Sequence, residues 1–413
     1  MWHQLGHGYG HFYVDDESFQ LGINHFQMPD LWTFMGPFNE TITWIRFKTE
    51  LRQSPPSFWM LLGECMALVQ TLRGAPLPPA ESRSLDQELT AYGLLARVAL
   101  DGSTLRAEQL LMHVEGLSKI PPTHAQEIGD VDHFRDALDS LQLEFSTSVP
   151  SLTPERILGY RSVLGGTPNG PPTNAWRNGP MGPGELQGVP FEMIPLFMVE
   201  LCDWLASPEL APPAPEEAPH YALLRSMVAE LYLAWIQPFG SAGYRVAGLV
   251  GQHLLATGGL AGAWTHLTAV HYHRARPEFL RQIGQAAQGM GDPIPFLAYS
   301  LRGLLDGLKE LVGAIRNAQT HGQWRAHVEN LLLGEKGPIM DRHRALLLGL
   351  YEEQEPTAIG MISQLDPELA RLYAGVSNKT LQRDVDALVD RGALQRTAEG
   401  VRARREIVRG FRG

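Results

Sequence analysis

Cysteine is almost absent. The 413-residue chain has two, Cys65 and Cys202, far apart and in apolar context. That excludes a disulfide framework or a cysteine metal cluster and suits a reducing compartment. No apolar run is long and clean enough to span a bilayer. The most apolar stretch, Leu249 to Trp264, is broken by Gln252, His253 and several glycines, and reads as a buried helix with its continuation. No basic-plus-apolar leader opens the sequence, so a cytoplasmic protein without membrane attachment is expected. Positive charge is in deficit. A formal net charge of −11 argues against a surface that coats nucleic acid or an anionic membrane as a whole, and leaves room for a local basic patch. No internal repeat is visible. Strand-like alternation is confined to the opening HFYV region and two short pieces near the C-terminus.

What is present is helical. Hydrophobic content of 44% and charged content of 19% are globular values, and the length allows two or three domains. Apolar residues recur at helical spacing in 57–72, 88–100, 191–206, 221–236 and 295–315. Residues 165–190 are dense in Gly, Pro and Asn and read as a loop, and 207–220 as a stiff Pro-rich spacer. Boundaries near 150 and 335 divide the chain into 1–150, 151–335 and 336–413, with GEKGP (334–338) as a hinge. The histidines suggest no metal site. His271 and His273 lack the i, i+4 spacing of helical metal pairs. His3, His7 and His11 recur every four residues, but Gly6, Gly8 and Gly10 oppose a helix there.

The informative stretch is IQPFGSAGYRVAG, residues 236–248. Pro238 cannot continue the preceding helix, and Gly240, Ser241, Ala242 and Gly243 permit a tight turn. Small residues just before a helix let backbone N–H groups face outward as an anion cradle. A plain helical corner with small residues for close packing accounts for the same letters.

In its flanks the stretch resembles the Fic family, whose motif His-Pro-Phe-x-Asp/Glu-Gly-Asn-Gly-Arg-x-x-Arg lies between two helices. Pro238, Phe239, Arg245 and the aromatic helix before them match. So do LTPERILGYRSVLGG (152–166) ahead of a flap, AWRNGP (175–180) at its start, GVPFEMIPLFMVELCDWL (188–205) after it, and GDPIPFLAYSLRGL (291–304) as a late core helix. The resemblance implies a mainly α, Fic-type helical bundle with a short flap at about 170–190. It also implies transfer of AMP from ATP to a protein hydroxyl. That chemistry needs a histidine base, a carboxylate for Mg²⁺, a Gly-Asn-Gly loop and two arginines on the phosphates. Here Gln237 stands at the base position and Ser241 at the metal position. Tyr244 adds bulk to the loop, and Gly248 replaces the last arginine. A degenerate site follows, inactive at Gln237. Gly240, Ser241, Ala242, Gly243 and Arg245 are its remaining nucleotide-binding candidates, and no cofactor is expected. ATP and Mg²⁺ would serve only a retained transferase. Family members also carry a Ser-x-x-x-Glu-Gly inhibitory helix whose Glu pairs with the last motif arginine. VQTLRGAPL (69–77) resembles it with Arg73 at the Glu position, so both halves of that pair are expected to be gone.

From about residue 340 the pattern changes. Residues 366–394 read as helix, turn, helix, with Gly375 in the turn and Ser377 as N-cap, followed by two short strands. That order is a winged helix-turn-helix, and its GVSxxTLxRD pattern is familiar from bacterial regulators and from C-terminal domains of Fic proteins. Residues 371–413 hold ten Lys/Arg against five Asp/Glu in an acidic chain. Ser377, Asn378, Lys379, Thr380, Gln382 and Arg383 open the second helix, where groove contacts are made. Arg396, Arg402, Arg404 and Arg405 fall on the wing, suited to phosphates. Asp384, Asp386 and Asp390 must then face away from a duplex. The expectation is a regulatory or binding protein whose partner is DNA, with a protein partner at the flap and a homodimer left open. A divergent nucleotidyltransferase is the alternative.

Overall fold

The computed structural model describes residues 42–114, 122–165, 174–181, 188–288 and 290–408. The opening strand-like region and His3, His7 and His11 lie outside them. From Trp44 onward the chain forms one compact unit. Its helices are α1 (Pro56–Arg73), α2 (Pro79–Leu100), α3 (Ala107–Val114), α4 (Ala125–Phe145), α5 (Pro154–Val163), α6 (Ile194–Leu205), α7 (Ala218–Ile236), α8 (Gly243–Thr257), α9 (Leu267–Arg274), α10 (Arg276–Gln288), α11 (Ile294–Leu331), α12 (Pro338–Glu352), α13 (Pro367–Tyr373) and α14 (Asn378–Asp390). Two antiparallel strands follow, β1 (Leu394–Arg396) and β2 (Val401–Ala403). The fold is mainly α, as the periodicity implied. Among the described residues no helix is long and apolar enough to cross a membrane, and no cluster of three His, Cys, Asp or Glu could hold a metal ion.

Helix starts follow local chemistry. Proline stands in the first turn of α1, α2, α5, α6, α7, α11, α12 and α13, where its missing N–H costs nothing. Thr153 caps α5 by accepting from Arg156 N at 3.3 Å, and Asp366 caps α13 by accepting from Leu369 N at 2.8 Å. Buried residues cover every side of α7, which makes it the central helix. It packs against α1, α6, α8, α10 and α11, while α2, α4 and α5 close over α8.

Helix α11 has 38 residues and spans about 57 Å. Its first half belongs to the helical bundle. Its last turns supply Trp324 and Val328, with Leu332, to a second core that holds Leu346, Leu350, Leu369, Val385, Leu388 and Val401. Trp324 Nε1 donates to Leu347 O at 2.9 Å. Gly334 (φ +95°) and Gly337 (φ +72°) take left-handed φ values that turn the chain from α11 into α12. The second core therefore begins inside α11, ahead of the turn at 334–338. Across β1 and β2, Leu394 pairs with Ala403 and Arg396 with Val401. Thr357 adds a bridge to Val401, and a side chain at Gly400 would collide with the Thr357 carbonyl.

Candidate functional site

Residues 237–242 join α7 to α8. Two non-glycine residues in left-handed conformation bracket this loop: Gln237 (φ 51°, ψ 61°) and Ala242 (φ 60°, ψ 21°). The residue before a proline is disfavoured from the right-handed helical region, so Pro238 ends α7 at Ile236. Gln237 turns its side chain back onto its own helix, where Nε2 donates to Ala234 O at 2.9 Å. Phe239 is buried against Trp176, with ring centroids 5.2 Å apart. Gly240 and Ser241 are exposed. A cavity of about 460 Å³ opens beside the loop, lined by its backbone and by Asp101, Tyr244, Arg276, Leu280 and Met181.

The protein's own carboxylate takes the N–H groups at the start of α8. Asp101, just past the end of α2, accepts from Tyr244 N at 2.8 Å and from Arg245 N at 3.2 Å. These are N–H groups of the first turn of α8, which have no partner within the helix. Arg245 Nε donates to the same carboxylate at 2.9 Å. Asp130 of α4 meets Arg245 Nη1 at 2.7 Å. Burial raises the Asp101 carboxyl above its usual range, opposed by Arg245 and the two backbone donors. For Arg245, burial is outweighed by Asp101 and Asp130, which raise the guanidinium. Arg245 is thus enclosed and twice paired, whereas the sequence presented it as a cation open to a phosphate.

Arg73 ends α1 on the surface and donates to Gly259 O, away from the loop. The acids that meet Arg245 are Asp101 and Asp130. In the sequence, Asp101-Gly102 reads only as an acid followed by glycine at a helix end. The space beside Gly248 is filled by Arg97. A Cβ there would lie 3.0 Å from Arg97 Nε and 3.2 Å from Phe134. Arg97 is buried and pairs with Glu230 of α7 at 2.5 Å. Arg161, also buried, donates to Ser241 Oγ at 3.1 Å and to Gly165 O at 2.6 Å. Burial lowers its pKa, and the nearby Arg245 charge lowers it further. Asp130, Arg97, Glu230 and Arg161 carry no sequence signal, since each matters only through what it touches in space.

The described parts of the flap clasp the loop. Arg177 N donates to Pro238 O at 2.9 Å, and Val189 N to Ile236 O at 3.3 Å. Arg177 Nε donates to Gln237 O at 2.6 Å, and its other nitrogens reach Gly179 O and Val189 O. Gly188 has to be small, because a Cβ there would lie 2.6 Å from Gln237 Cβ and 2.8 Å from Arg177 Nη2.

In the C-terminal core, α13 and α14 lie on either side of a turn containing Gly375. Ser377 takes the N-cap position without a side-chain bond to the helix; its hydroxyl lies 3.2 Å from Thr380 Oγ1. Ser377, Asn378, Lys379 and Arg383 are exposed, and Thr380 and Gln382 are half-buried. On the hairpin, Arg396 is exposed and paired with Asp386. Arg402 is exposed and donates to Gln395 Oε1 at 2.9 Å. The last two arginines also serve the fold. Arg404 donates to Gly392 O at 3.2 Å. Arg405 donates to Tyr351 O and Glu353 O at the end of α12 and lies over the Tyr351 ring at 5.2 Å. Asp384 is buried.

No protein-family model matches the chain, and no curated protein matches it. Among solved structures it resembles a Fic family protein from Desulfovibrio desulfuricans G20, with TM-score 0.50 and 17% identity over 84% of this chain and 92% of that one. It also resembles Fic-1 (residues 134–508) from C. elegans, with TM-score 0.51 and 19% identity over 63% of this chain and 73% of that one. The chain therefore has a mainly α, Fic-type helical fold.

Proposed function

We propose that this Fic-fold chain is a binding protein whose AMP-transfer site is degenerate, and that it docks on DNA through a winged helix-turn-helix formed by α13, α14 and the β1–β2 hairpin. The seating of Asp101 carries the first half. A nucleotide phosphate approaching the start of α8 meets a carboxylate that already takes two N–H groups, and an arginine already held by two acids. Gln237 supplies no base, and Ser241 is a weak ligand for Mg²⁺. The DNA half is supported by exposed Asn378, Lys379 and Arg383 on one helix and Arg396 and Arg402 on the hairpin. Two experiments test the reading. Calorimetric titration with ATP and GTP in Mg²⁺ is expected to give no binding heat. A gel shift with random duplex is expected to show binding that weakens as salt rises; absence of a shift at low salt removes the DNA half.

The cavity beside the loop favours one second reading, a divergent nucleotidyltransferase acting on a protein hydroxyl. Incubation with labelled ATP, GTP, CTP and UTP plus Mg²⁺ decides it. Labelling that disappears in Arg245→Ala would establish the enzyme.

A further inference from the structure

Helix α14 carries the proposed base-reading residues, and its apolar anchors are Leu381, Val385 and Leu388. Apolar contact is not directional, so these three fix which face of the helix is buried but set its exact roll less sharply than a hydrogen bond does. Within the same buried stripe lies Asp384. Its carboxylate accepts from Arg342 Nε at 2.7 Å and from the Tyr373 hydroxyl at 2.8 Å. His343 Nε2 lies 3.6 Å from its other oxygen. His343 Nδ1 is 3.0 Å from Glu335, which in turn pairs with Arg391 just past the end of α14. One connected network thus ties α14 at its middle and at its end to α12, to α13 and to the turn after α11.

We propose that Asp384 is a positioning residue for DNA readout, one that sets the rotation of α14 about its axis. The proposal rests on the DNA-binding reading of this module. Hydrogen bonds are directional where apolar contacts are not, so this network sets the angle more sharply than Leu381, Val385 and Leu388 do. The angle matters for chemistry. A roll of roughly 20° moves a side-chain end about 6 Å from the axis by about 2 Å, enough to break a bond to a base edge. Phosphate contacts through long basic side chains absorb such a shift, because they position the protein without reading sequence. Asp384 therefore serves discrimination between duplexes more than affinity for DNA in general.

The test uses the full chain and compares Asp384→Asn with Asp390→Asn. Asp390 is exposed on the same helix, so both variants remove one negative charge. Affinity is measured for duplexes enriched from a random pool by the wild-type chain and for a scrambled duplex of equal length, across a salt series. Asp384→Asn is expected to lower the enriched-to-scrambled ratio at least tenfold, with scrambled-duplex affinity and salt slope kept. Asp390→Asn is expected to keep the ratio. An unchanged ratio in a folded Asp384→Asn protein overturns the proposal. So does an equal fall in affinity for both duplexes. Amide hydrogen exchange over 378–390 is read in parallel and needs no DNA. If the wild-type chain binds no duplex, the DNA reading fails. Exchange then decides whether Asp384 holds α14: faster exchange confined to that helix supports the pin, and unchanged exchange removes it.

Discussion

Replacing Asp101 with asparagine should both destabilise the protein and open its loop to anions. Asparagine keeps one acceptor for the Tyr244 N–H but turns an amide donor or a neutral oxygen toward Arg245. Breaking a buried pair by removing one partner costs about 3–5 kcal/mol, and the Asp101 and Arg245 side chains are 9% and 8% exposed. Asp130 still pairs with Arg245 at 2.7 Å and is 27% exposed. That residual pairing brings the expected cost down to about 2–4 kcal/mol. Urea unfolding followed by far-UV circular dichroism reads this as a lower midpoint at unchanged slope. The start of α8, Arg245 and the neighbouring Arg161 then lack a full counter-charge, although the asparagine still fills the space. Sulfate or phosphate at millimolar concentration should stabilise the variant more than the wild type, over the general salting effect common to both. An anion at ten times its dissociation constant would restore about 1.4 kcal/mol. A variant within about 0.5 kcal/mol of wild type, with no anion-dependent gain, would refute the reasoning.

The same structure bears on the rebuilt motif, on pH and on the wing. Rebuilding the motif arginine with Gly248→Arg should destabilise by about 1–3 kcal/mol through overpacking against Arg97 and Phe134, and Gln237→His with Ser241→Asp should then still give no ATP labelling. Stability should fall on acidification between about pH 6.5 and 4. Burial depresses His253 and His266 to about 4, so the unfolded chain binds more protons in that window. Thermal unfolding over this range measures the fall, and His253→Asn should flatten it. Arg402→Ala should leave the melting temperature unchanged and lower the slope of log affinity against log salt by about 1. Arg405→Ala should lower the melting temperature itself, since it removes the guanidinium from the end of α12.

The sequence by itself determined what depends on neighbours along the chain. Apolar spacing marked α1, α6, α7 and the start of α11. Proline marked the end of α7, and the glycine-bounded pattern near the C-terminus marked α13, α14 and the two strands. Helix α4 is hard to read from sequence because four acids, Asp130, Asp132, Asp136 and Asp139, dilute its apolar stripe, and one of them, Asp130, turns inward to Arg245. The resemblance around Pro238 and Phe239 located the loop, and the expectation of a degenerate site rests on the identities of Gln237, Ser241 and Gly248. Only the tertiary structure decided what surrounds the loop. Asp101 reaches the start of α8 from 144 residues before Arg245, and Arg97 fills the space that Gly248 leaves. Arg405, which composition alone offers to a phosphate, turns inward to two carbonyls. A residue's type states which partners it can accept. Whether one is already supplied depends on helix packing, because burial removes water as the alternative partner and leaves each charge to whatever the fold brings beside it.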